Sequence, residues 1–99
     1  MDEQFEEAIL LRKKSNYEES KKLFIYLVEK YPNHALINYH CAWSYDLLGE
    51  ERKAVPFYER AIELGLFGED LEGAYLGLGS TYRTLGEYKK AESLCPNNI

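Results

Sequence analysis

The chain repeats itself at a period set by its small and turn-forming residues. Ser15, Gly49 and Gly86 occupy one slot of a recurring unit, offset by 34 and then 37 residues. Leu11, Tyr45 and Tyr82 keep the same offsets, as do Ala8, Ala42 and Gly79, and Ser20, Ala54 and Ala91. Phe24 pairs with Tyr58 and Leu27 with Ala61, again 34 apart. A period near 34 with small, aromatic and glycine slots recurring together is that of a helix–turn–helix unit. One such hairpin cannot bury its apolar face alone, so successive hairpins stack into an all-α solenoid. The 99 residues then form one domain, residues 1–99, with repeats over about 1–34, 35–71 and 72–99.

Composition limits the partners. The apolar fraction of 45% and the nine tyrosines exceed what a disordered segment carries. Net charge is −5, and the longest basic run is Arg12-Lys13-Lys14. Nucleic acids and anionic membranes both select clustered positive charge, so neither is expected as a partner. Met1-Asp2-Glu3-Gln4 lacks the basic and apolar regions of a signal peptide, and no apolar run approaches the roughly 20 residues that span a bilayer. The expectation is a cytoplasmic, soluble protein. Cys41 and Cys95 are then read as reduced thiols rather than a disulfide.

Helical spacing places the elements. Phe5, Ala8, Ile9 and Leu11 predict a helix over 3–14, acidic at its start and closed by Arg12-Lys13-Lys14, as the helix dipole favours. After the Ser15-Asn16 turn, Asn16 with Glu19 reads as a capping box for a helix over about 17–30, ended by Pro32. Asn33 offers a cap for a helix over about 34–48, closed by Gly49. A fourth helix over about 51–64 contains Pro56 and is expected to start late or bend there. Leu66 to Glu69 is the longest connector. Asp70 is expected to cap a helix over about 71–85, and a sixth helix begins near Glu87 and stops before Pro96.

The recurring residues have packing roles. Ala8, Ala42 and Gly79 let the two helices of each hairpin approach closely, with Ala54, Ala91 and the weaker Ser20 as their small partners on the second helix. Tyr45 and Tyr82 fill the gap between a hairpin and its neighbour, as Leu11 does in the first unit.

At these positions the chain resembles the tetratricopeptide repeat family. Tyr75, Leu78, Gly79, Tyr82, Tyr88 and Ala91 carry the resemblance in the third unit, and Ala42, Tyr45, Gly49, Ala54, Tyr58 and Ala61 in the second. In the first unit Ala8, Tyr17, Phe24 and Pro32 fit, while Glu7 and Ser15 depart from the usual Leu and Gly. The stretches 73–81 and 85–88 look like the short bacterial proteins of tetratricopeptide repeat group 5. The resemblance implies a right-handed α–α superhelix of about three hairpins. Family members usually continue the last helix and add a capping helix, whereas Cys95-Pro96-Asn97-Asn98-Ile99 stops it here. The expectation is a truncated last hairpin.

The resemblance also implies a function: a protein-interaction scaffold that holds a peptide or helix of a partner in its concave groove. In the family the first helices of the hairpins line that groove. Helical spacing then assigns to it Phe5, Ile9 and Arg12 from the first unit, Leu36, Tyr39, Trp43 and Asp46 from the second, and Leu76, Ser80 and Arg83 from the third. Phe5, Ile9, Leu36, Tyr39 and Trp43 would form an apolar strip of the kind that marks a docking site. Alternatively, Tyr39 and Trp43 simply pack against the first hairpin. Arg12 and Arg83 at the rim suit an acidic, apolar peptide. A second functional reading is a homodimer or larger assembly through the incompletely capped C-terminal end. Members that grip the C-terminal carboxylate of chaperones use Lys, Asn and Arg at positions held here by Phe5, Ile9, His40, Gly73 and Gly77, so that clamp is absent.

Enzyme chemistry is not expected. Adjacent His40 and Cys41 point about 100° apart on a helix and cannot pair as nucleophile and base. His34 and His40 are six apart, off the i, i+4 spacing of a helical metal site, and no glycine-rich phosphate loop follows a strand. No cofactor or metal is called for.

Overall fold

A computed structural model of the protein describes residues 3–86. It is all-α, with five helices in antiparallel succession: α1 Glu3–Lys13, α2 Tyr17–Lys30, α3 Ala35–Leu47, α4 Glu51–Glu63 and α5 Gly68–Thr84. Each helix packs on the next, and α3 also touches α5. Among the described residues, no helix is long and apolar enough to cross a membrane. The expected sixth helix, the small residue Ala91, Cys95 and the C-terminal end invoked for self-association lie outside the described residues.

The hydrophobic core is in two parts, and α3 belongs to both. Ile37 and Cys41 face α1 and α2, joining Ala8, Phe24, Leu27 and Val28. Tyr39 and Ala42 face α4 and α5, joining Ala54, Tyr58, Ala61, Leu66, Ala74, Leu78 and Tyr82. Such two-sided burial demands a helix that is apolar around most of its circumference, and ALINYHCAWSYDL supplies one. Tyr45 sits where the parts meet and stacks on Phe57 with ring centroids 5.6 Å apart. Ser20 does more than stay small: its hydroxyl donates to the Ala8 carbonyl at 2.8 Å, stitching α2 to α1.

The turns show why one slot recurs. Gly49 and Gly86 close α3 and α5 with φ of +75° and +83°. Ser15, in the same slot, is forced to φ +66°, where a side chain is strained.

Three local expectations are corrected and a fourth is narrowed. Asn16 makes no side-chain cap; its φ of −86° and ψ of 64° depart from the extended geometry of a capping residue, and its N–H donates instead to Leu11 O at 2.8 Å. His34, not Asn33, caps α3, its extended backbone turning Nδ1 toward the Ile37 N–H at 3.4 Å. Asn33 is engaged elsewhere, accepting from Arg60 at 2.6 Å. Of the two outcomes expected for α4, the late start is excluded: Lys53 and Ala54 already bond back to the Glu50 carbonyl, a turn before Pro56, which lies inside the helix. The bond that Pro56 cannot donate belongs to the Arg52 carbonyl, and both residues are exposed, so water can serve that carbonyl. Finally, α5 begins at Gly68 with Phe67 as its cap position, which leaves Asp70 within the first turn and shortens the connector. Gly68 at φ +65° allows the sharp entry.

The approach of α5 is set by two glycines one turn apart. A Cβ at Gly77 would lie 2.5 Å from the Tyr58 hydroxyl and 2.6 Å from its Cζ, and one at Gly73 would overlap the Tyr39 hydroxyl. Two tyrosine rings therefore stand end-on against bare helix backbone.

Two stability outcomes follow. Gly77→Ala should destabilise the protein by about 1–3 kcal/mol in urea unfolding, despite alanine's better helix propensity, because the Tyr58 ring has nowhere to retreat. Ser15→Gly should stabilise it by roughly 1 kcal/mol by releasing the left-handed strain.

Candidate functional site

Residues three and four apart on α3 bring one face of rings together. His40 and Trp43 stack with centroids 5.6 Å apart and planes 16° off parallel, and Phe24 of α2 continues the stack beyond His40 at 5.5 Å and 12°. Phe5 of α1 meets the edges of both Phe24 and His40, at 5.9 Å and 5.3 Å. Such edge-to-face and offset pairs are the favoured aromatic arrangements. Arg12 closes the assembly. Its Cζ lies 3.8 Å above the centre of the Trp43 ring, and its Nη2 donates to His40 Nδ1 at 2.9 Å.

That hydrogen bond requires His40 to be neutral with Nδ1 unprotonated. Burial, reinforced by the Arg12 charge, pulls the imidazole from its ordinary 6.5 down to about 3. Burial also lowers Arg12, though a guanidinium stays charged at neutral pH. The pair is thus a cation held by a neutral acceptor. Next along the helix, Cys41 is a free, buried thiol pushed up to about 12 by burial, so it is protonated and inert as a nucleophile.

The ten residues assigned to the groove divide by environment. Phe5 and Ile9 are half-buried against the first part of the core, and Leu36 against the second. Tyr39 is buried, its ring 5.8 Å from Trp43 and its hydroxyl against Gly73. Asp46 is half-buried and accepts from the Tyr58 hydroxyl at 3.0 Å; burial pushes its carboxyl up while that bond holds it down. Burial, aided by the Asp46 charge and bond, raises the Tyr58 phenol. Trp43 keeps 36% of its surface exposed and Leu76 69%, with Ser80 and Arg83 exposed further along α5. The structure thus brings Phe5, Arg12, Tyr39 and Trp43 into one ring cluster. Ile9, Arg12 and Trp43, together with Lys13, Tyr17 and Leu47, line a recess of about 320 Å³ beside it.

Helical spacing along first helices alone missed several members. His40 bridges Phe24 to Trp43, and the i, i+3 relation of 40 to 43 is the signal that marks it. Lys13, Tyr17 and Leu47 enter the recess because the Ser15 turn folds α2 back across the ends of α1 and α3, which no helical wheel shows. Gly73 and Gly77 act as landing sites for the Tyr39 and Tyr58 rings.

One consequence is measurable. The unfolded chain protonates His40 near 6.5, but the folded chain resists until about 3. The stabilisation is complete above pH 6.5 and is lost as pH falls toward 3, with a limiting slope of about 1.4 kcal/mol per pH unit. Urea unfolding of the wild type across pH 7 to 4 should show this loss, and His40→Gln should remove one proton from the slope.

A family model described as Tetratrico peptide repeat, of the group 5 form, matches residues 33–99, about two thirds of the chain. No curated protein matches it.

Proposed function

This chain belongs to the tetratricopeptide repeat family, and we propose that it holds a peptide or helix of a partner protein on the face made by α1, α3 and α5. The family is one of protein–protein interaction modules, which carries the general part of this reading. The observation that supports the location is Trp43: it is partly exposed yet packed against the bonded pair of His40 and Arg12, so its ring is ordered before any partner arrives. Rigid, partly exposed aromatics give large contact area at small entropy cost and dominate binding energies. From Trp43 the face continues over Tyr39 to Gly73, and Leu76 stands one turn further along α5. The exposed side chains of Trp43, Leu47 and Leu76 supply apolar contacts along it.

The test is a selection of random peptides displayed on phage against the full chain, followed by titration of the recovered peptides. Trp43→Ala should weaken them by about tenfold or more while leaving helical content and molar mass unchanged. Unaltered affinity in that variant would place binding elsewhere on the molecule.

A further inference from the structure

Arg12 is the one cation of the ring cluster, and its charge is unanswered within the described structure. The guanidinium's only hydrogen-bond partner there is the neutral His40 ring; its other contacts are with the faces of Trp43 and Phe24. Nη1 is shut off from water and has no acceptor. A buried donor without a partner is costly, and one on a charged group more so. By contrast, the half-buried Lys21 meets Glu50 at 2.8 Å across α2 and the start of α4, although Glu51 Oε2 shares with Arg12 the lack of a partner. Arg12 also forms part of the wall of the recess lined by Ile9, Lys13, Tyr17, Trp43 and Leu47. That recess therefore combines two cationic side chains with an indole face and aliphatic walls.

We propose that this recess takes the side-chain carboxylate of an Asp or Glu flanked by apolar residues in the partner segment, with Arg12 as its receiver. The inference rests on the groove reading above and specifies its ligand chemistry. A carboxylate supplies the counter-charge that Arg12 lacks, while apolar neighbours cover Ile9, Trp43 and Leu47. A partly desolvated setting strengthens such a charge pair. Stacking on Trp43 holds the guanidinium plane in place, which reduces the ordering cost of binding. Lys13 adds a second positive charge at the same wall.

Trp43 is the only tryptophan in the chain, so its emission reports the recess directly. Phage-selected peptides would be titrated by this emission, each beside a counterpart with its acidic residue changed to the amide. Under the proposal the selected peptides are enriched in Asp or Glu, the amide exchange weakens them about tenfold or more, and Arg12→Met binds acid and amide forms alike. The exchange on the peptide needs no protein variant, and Arg12→Gln, which keeps donors but not the charge, serves if Arg12→Met does not fold. Selected peptides without acidic residues, or an amide penalty that persists undiminished in the Arg12 variant, overturn the carboxylate assignment. If Trp43→Ala, titrated by calorimetry because it carries no tryptophan emission, still abolishes binding in that case, the groove stands without it. If no peptide responds to Trp43→Ala, the groove reading fails and this assignment falls with it.

Discussion

α3 is buried on two sides at once, and the rest of the structure depends on that. Ile37 and Cys41 commit one side to the α1–α2 hairpin, while Tyr39 and Ala42 commit the other to α4 and α5. Alanines at 8, 42, 54, 61 and 74 keep the surrounding backbones close enough for a thin core to close around it. A helix in this position has little surface left for water, and what remains is the strip that carries Trp43 and Leu47. Burial of the core and presentation of the candidate binding face are thus two consequences of the same placement.

α5 is held by a different device. Tyr58 bonds to Asp46 of α3 through its hydroxyl, and its ring end rests on α5 at Gly77, while Tyr39 does the same at Gly73. Tyr82 of α5 answers by donating to Glu59 of α4. Buried phenols need partners, and Tyr58 finds one across its own hairpin while Tyr82 finds one across the seam to the next. This places rigid rings under the face where a partner would lie.

Electrostatics separates the site from the framework. Lys21 with Glu50 and Arg60 with Asn33 tie successive hairpins together through satisfied contacts. Arg12 is held instead by rings and a neutral imidazole, an arrangement that orders the cation without neutralising it. A charge left in that condition beside a recess is chemistry available to a ligand.

The period of the small and aromatic residues was enough, from sequence alone, to establish five described helices, their order and most of their ends. Those features are local: helical spacing, a proline after α2 and glycines able to take positive φ. Asn16 and Asn33 show the limit, since capping depends on the backbone angle at one residue, and the packed turns gave that role to His34 or to no side chain. The groove residues were legible as a face but not as neighbours. Whether Tyr39 is core or contact, and that His40 bridges Phe24 to Trp43, depends on how far α2 and α5 press against α3. Spacing along a chain states which residues share a side of a helix; only packing between helices decides which of them are covered, what they touch and which charge goes without a partner.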